Sequence, residues 1–116
     1  MGVKQFEVII TPFAEAALQS YDDYLRLELF SDQAADNLLD LMEKEIKGLS
    51  FFPEKYPLVE REPWHSEGIR IRPAKGYNVY FWIDNEHNRV YVIDIINHRM
   101  DQDSRLAAST RASTGI

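Results

Sequence analysis

Apolar positions along the chain change period several times, and each change marks an element. From Lys4 to Ile10 the residues are β-rich, with Phe6, Val8 and Ile10 alternating against Gln5, Glu7 and Ile9, which predicts a first strand ending at Thr11-Pro12. Thr11 is placed to cap a helix whose first residue is Pro12, where a missing N–H costs nothing. Ala14, Ala17, Leu18, Tyr21 and Leu25 then form one helical stripe. Phe30-Ser31-Asp32 breaks it, Ser31 can cap a second helix, and Ala35, Leu38, Leu39, Met42, Ile46 and Leu49 make the next stripe. Helices joined so tightly predict an antiparallel hairpin.

Residues 50–68 carry Pro53, Pro57 and Pro63 among Phe, Tyr, Leu and Trp, a loop pinned to the core rather than a helix. Three strands follow at Ile69–Arg72, Tyr77–Asp84 and Arg89–Asn97, with short turns that predict an antiparallel meander. Beyond Asp101 the chain is polar and small, which predicts at most a short helical piece and then a frayed end. The expectation is one α+β domain over 1–103, with the helical hairpin packed on one face of a small, mainly antiparallel four-stranded sheet, and a short polar, flexible tail at 104–116. The other sheet face is then expected to lie open.

Composition narrows the class. At 116 residues, 45% hydrophobic and 28% charged, the chain is one globular domain, and without cysteine it has neither disulfides nor a thiol nucleophile. Its start lacks a signal-peptide pattern and no window approaches the roughly 18 apolar residues of a membrane span, so a soluble cytoplasmic protein with no membrane partner is expected. Net charge is -6. Residues 1–60 hold twelve acids and five bases, and residues 61–116 hold seven acids and eight bases, so contact with a polyanion is expected from the second half.

Alternation assigns the faces of the meander, the more apolar parity meeting the helices. Tyr77, Val79, Phe81 and Ile83 go inward with Ile69, Ile71, Tyr91, Ile93 and Ile95. Outward go Arg70, Arg72, Asn78, Tyr80, Trp82, Asp84, Val90, Val92, Asp94, Ile96 and His98. Arginine binds phosphate through paired hydrogen bonds, and exposed aromatics let bases stack, so this set suits single-stranded RNA, with His98 able to move a proton near neutral pH. Plainer readings stand beside it. Arg70 or Arg72 pairs with Asp94 across the sheet, Tyr80 and Trp82 join Val90, Val92 and Ile96 in a patch covered by a partner protein, His98 is a surface histidine, and Lys75 is a solvated turn residue.

Catalytic strings such as HExxH, GxSxG, GxxxxGK[ST] and GxGxxG are missing, and His65, His87 and His98 lack metal-ligand spacing, so neither metal nor cofactor is expected. Asp36, Asp40 and Glu43, at helical spacing, read as a solvated face.

The order of elements, together with the strings LSFFPEKYPLV, GIRIRPAKGYNVYFWID and VYVIDIINHRMD, resembles the RelE/ParE toxin superfamily, the toxin halves of type II toxin-antitoxin modules. The strings follow each other in the family's order across nearly residues 4–103. The resemblance implies a growth-inhibiting toxin of a plasmid-stabilisation type system, held by a cognate antitoxin. It implies either metal-independent, ribosome-dependent mRNA cleavage, as in the RelE branch, or inhibition of DNA gyrase, as in the ParE branch; the same fold also serves as a binding module with a decayed site. For cleavage, position implies that Arg70, Arg72 and Arg99 hold and stabilise the phosphate and His98 transfers the proton, with Lys75, Asn78, Tyr80 and Trp82 binding the RNA. Asn78 stands where both branches usually carry an arginine, which takes a cation from the outward face.

Overall fold

In a computed structural model of the chain, which describes residues 4–113, the elements run β1 (Glu7–Ile10), α1 (Pro12–Asp23), α2 (Asp32–Lys47), β2 (Ile69–Ala74), β3 (Tyr77–Asp84), β4 (Arg89–Asn97) and α3 (Gln102–Ala112). The sheet order is β1-β4-β3-β2, with β1 parallel to β4 and the other pairings antiparallel. The expected α+β architecture is present.

Local chemistry starts the helices where the sequence places them. Thr11 accepts a hydrogen bond from the Ala14 amide at 3.3 Å, and its hydroxyl donates to the Val92 carbonyl at 2.9 Å, so one side chain both caps α1 and fastens it to β4. Ser31 caps α2 by accepting from the Ala34 amide at 3.1 Å. Ala35, Leu38, Met42 and Ile46 are buried as the stripe requires; Leu39, grouped with them by periodicity, is exposed. Between the helices, α1 widens into a π turn at Tyr24–Glu28. That turn keeps Leu25 against the core while Tyr24 and Leu27 face solvent.

Two strand boundaries differ from the expected ones. β1 begins at Glu7 rather than Lys4, because Gln5 bridges to Phe51 and the Phe6 amide donates to the Ser50 carbonyl at 2.8 Å, pulling those residues toward the loop after α2. β2 runs on through Pro73 to Ala74, which an edge strand tolerates. The loop over 50–68 is pinned as expected: Pro53, Val59 and Trp64 are buried. It also lines the outer edge of β2, where the Val59 amide donates to Ile69 and the Ile71 amide to Pro57, so that edge is not free to pair with another chain.

The expected face assignment needs correction. Arg70 lies opposite Phe81 and Arg72 opposite Val79, so both arginines share the hairpin face, while Ile69 and Ile71, opposite Trp82 and Tyr80, point to the other side. In β4 the pairing jumps from Phe81–Val92 to Tyr80–Asp94, leaving Ile93 as an extra residue. Val90 and Val92 therefore enter the hairpin core, Tyr91 and Ile93 face away from it, and Ile95 and Ile96 keep the expected faces.

Nor does the second face lie open. Val59, Trp64, Ile69, Tyr80, Ile93, Ile96 and Leu106 form a second buried cluster over it. α3 supplies Leu106, and its start is capped by Asp101, which accepts from the Ser104 amide at 3.1 Å. A helix of 11 residues thus occupies most of the stretch expected as a polar tail. Residues 114–116 of that expected tail lie outside the described residues. Among the described residues, no helix is long and apolar enough to cross a membrane.

Candidate functional site

Arg70 and Arg72 are committed to neighbours on the hairpin face. Arg70 Nη1 donates to the carbonyls of Tyr56, at 2.7 Å, and Glu54, at 3.2 Å. Arg72 pairs with the Glu45 carboxylate of α2 and lies over the Tyr56 ring, 4.8 Å from its centroid. That ring in turn meets Phe81 edge-on at 6.1 Å. Neither arginine reaches Asp94, contrary to the cross-strand pairing considered from sequence: Asp94 is completely buried on the other face and pairs with Arg105 of α3 at 3.3 Å. Because Arg72 combines a charged hydrogen bond with an aromatic stack, Arg72→Ala is expected to cost about 2 kcal/mol of stability, read from urea denaturation. A loss within experimental error would show that the arginine is idle in the fold.

A polar chain occupies one end of the other face. His98 Nε2 lies 2.9 Å from Asn78 Oδ1, Asn78 Nδ2 donates to Gln102 Oε1 at 3.1 Å, and the Tyr80 hydroxyl donates to the same oxygen at 2.8 Å. Gln102 Nε2 completes it by donating to the Asn97 carbonyl at 2.9 Å. With the Asn78 amide so oriented, the neutral His98 ring carries its proton on Nε2 and turns Nδ1 away from Asn78. The His98 amide donates to Gly76, so the Lys75-Gly76 turn sits beside it; Lys75 and Arg99 are exposed there. Gln102 organises this chain, yet a glutamine after a strand carries no spacing signal in the sequence.

The aromatics do not form a stacking platform. Tyr80 is buried, and burial pushes its hydroxyl above the ordinary tyrosine value. Trp82 is half-buried and stacks on Tyr91, with centroids 5.7 Å apart and planes 25° from parallel. Val90, Val92 and Ile96, expected with them in an outward patch, are all fully buried. The sequence-derived set is therefore split: Lys75, Asn78, His98 and Arg99 gather at the end of the sheet, while Arg70 and Arg72 point to the opposite face.

One further group has metal-binding residue types. Asp84, Glu86 and His87 offer ligand atoms within 4.8 Å of one another in the exposed β3–β4 turn. Asp84 already accepts from the Glu86 and His87 amides, at 3.1 and 3.2 Å, and meets His87 Nδ1 at 2.8 Å. The His87 contact is the main cause that holds the Asp84 carboxyl below its ordinary value. These bonds describe a side chain closing a turn.

Over residues 8–102 the sequence matches the family described as the ParE toxin of type II toxin-antitoxin systems, parDE. No curated protein matches it. The fold is similar to a chain of the chromosomal ParDE toxin-antitoxin system from P. aeruginosa, with a TM-score of 0.62 and 17% identity, covering 81% of this chain and 97% of that one. It is also similar to a chain of the RelBE2 toxin-antitoxin complex from Mycobacterium tuberculosis, with a TM-score of 0.59 and 19% identity, covering 80% and 91%.

Proposed function

The chain belongs to the ParE toxin family of type II toxin-antitoxin systems, and from that membership we propose that it arrests growth by binding and inhibiting DNA gyrase, with an antitoxin encoded beside it as its neutralising partner. One observation carries the choice of mechanism. An RNA-cleaving site needs cations converging on one phosphate together with a proton-transfer group. Here the Arg70 and Arg72 guanidinium groups are held by Tyr56, Glu54 and Glu45 on the hairpin face, and His98 is bonded to Asn78 on the other. A toxin that acts by occupying a protein surface needs no such convergence. Asn78 supports the same reading, because its amide joins the His98–Gln102 chain where a phosphate-binding cation would be required.

The test pairs a supercoiling assay on purified gyrase with primer extension on cellular mRNA after induction. Inhibited supercoiling with uncut mRNA is expected; ribosome-dependent cleavage with unaffected gyrase would overturn the proposal in favour of the nuclease. His98→Ala sharpens the contrast. It is expected to leave growth arrest within about twofold of wild type, whereas loss of a general acid or base would lower a cleavage rate by roughly 100- to 10,000-fold.

A further inference from the structure

The turn between α1 and α2 exposes a run of large apolar side chains. Phe30 is 87% exposed and Leu27 66%, and Tyr24 and Leu29 beside them are more than half exposed. Single exposed apolar residues need no explanation, but four within seven positions make a patch of the kind that marks interaction surfaces. The backbone under them is specialised as well. The Leu29 amide donates to the Tyr24 carbonyl across the π turn at 3.1 Å, and the Ser31 amide to Leu25 at 2.9 Å. Phe30 closes this turn at a φ of 51°, the left-handed conformation that a helix end normally gives to glycine. A phenylalanine there is strained, and at that exposure its ring gains almost nothing from packing within the chain.

Around the patch the charge is one-sided. Between residues 22 and 40 the chain has six carboxylates and one base. That base, Arg26, is already surrounded by Asp22, Asp36 and Asp32 at 3.0, 2.6 and 3.6 Å, which leaves Asp23, Glu28 and Asp40, of which Asp23 and Glu28, at the turn itself, set the field at the rim. We infer that this hairpin tip is the docking surface for the target, a protein whose apolar pocket is ringed by lysine and arginine, with Phe30 and Leu27 as the anchors. The inference rests on the gyrase reading and deepens it, since enzymes that handle DNA carry basic surfaces. Charge also argues against a second copy of this chain as the occupant: a symmetric contact would set the two acidic rims against each other.

Phe30→Gly separates binding from folding, because glycine accepts the left-handed turn without strain. Binding to purified gyrase is measured for the wild type, Phe30→Gly, Leu27→Ser and the double variant Asp23→Lys/Glu28→Lys, at two salt concentrations. The protein encoded by the adjacent reading frame serves as a second ligand, and thermal midpoints and sedimentation are recorded for each variant. Expected are roughly 10- to 100-fold weaker gyrase binding for Phe30→Gly and Leu27→Ser, an unchanged or raised midpoint for Phe30→Gly, and antitoxin affinity within about twofold of wild type. The charge variant should bind gyrase more weakly and lose salt dependence. Undiminished gyrase binding by Phe30→Gly and Leu27→Ser overturns the inference. So does loss of antitoxin binding in place of gyrase binding, or self-association of the wild type that Phe30→Gly abolishes. A wild type that ignores gyrase refutes the gyrase reading, and growth arrest then decides for the tip: arrest abolished by Phe30→Gly upholds a different basic target, and arrest that persists overturns the docking surface.

Discussion

Arg105→Met is expected to destabilise the protein by about 3–5 kcal/mol at neutral pH, the range for stranding one member of a buried ion pair. Asp94 is fully buried, and its carboxylate meets Arg105 Nη2 at 3.3 Å and the Ile95 amide at 2.8 Å. Burial raises its pKa above the ordinary aspartate value, with Arg105 the largest opposing influence. The sign follows: a carboxyl that holds its proton more tightly folded than unfolded contributes most to stability below its ordinary value, and loses that contribution as pH rises through the raised folded value. Removing Arg105 raises the folded value further, so the deficit relative to wild type should be small near pH 4 and widen toward pH 7. Urea denaturation across that range reads it directly. Arg105→Met/Asp94→Asn, which carries no buried charge, should regain most of the loss at pH 7. A deficit independent of pH would mean that Arg105 acts through its contact with the Phe13 ring, 4.8 Å away, and not through Asp94.

Phe81→Ala should cost about 3–5 kcal/mol and lower the thermal midpoint by roughly 10–20 °C. Phe81 is completely buried in β3, between the hairpin and the Tyr56 ring. Its removal leaves a cavity and also takes away the surface against which Tyr56 supports Arg72, so the Arg72–Glu45 pair should loosen with it. Phe51→Ala is the control: that ring is exposed, and its loss should stay within about 0.5 kcal/mol. Equal losses from the two substitutions would contradict the placement of the core.

The two helices of the hairpin were legible because each has one buried stripe and a capping side chain at its start, Thr11 and Ser31, and both caps bond as their positions imply. The meander was legible as strands and turns but not as faces. Assigning the apolar parity inward works when one face is wet, and here both faces are covered, so Ile69 and Ile71 were free to serve the second cluster. The extra residue at Ile93 reversed parity within β4, and no residue type announces such a bulge. Of α3 only a short helical piece was legible, and not its packing: in QDSRLAASTRA, Leu106 is the one large apolar side chain, and its burial depends on a hydrophobic face that the local sequence does not display. The candidate site suffered most. Charge and residue type identified Arg70, Arg72 and His98, but only the register shows that they point to opposite sides.

The parallel pairing of β1 with β4 also sets when the protein can finish folding. Glu7 lies beside Arg89 and Ile10 beside Val92, contacts spanning some eighty residues of chain. Until β4 has been synthesised, β1 has no strand to join, and Thr11 lacks the Val92 carbonyl that anchors α1. Early local structure is then limited to the helical hairpin and the β2–β3 hairpin, and closure of the sheet waits on the longest loop in the topology. A nascent chain cut short before residue 89 cannot assemble this fold, so the folded protein arrives only once β4 has been made.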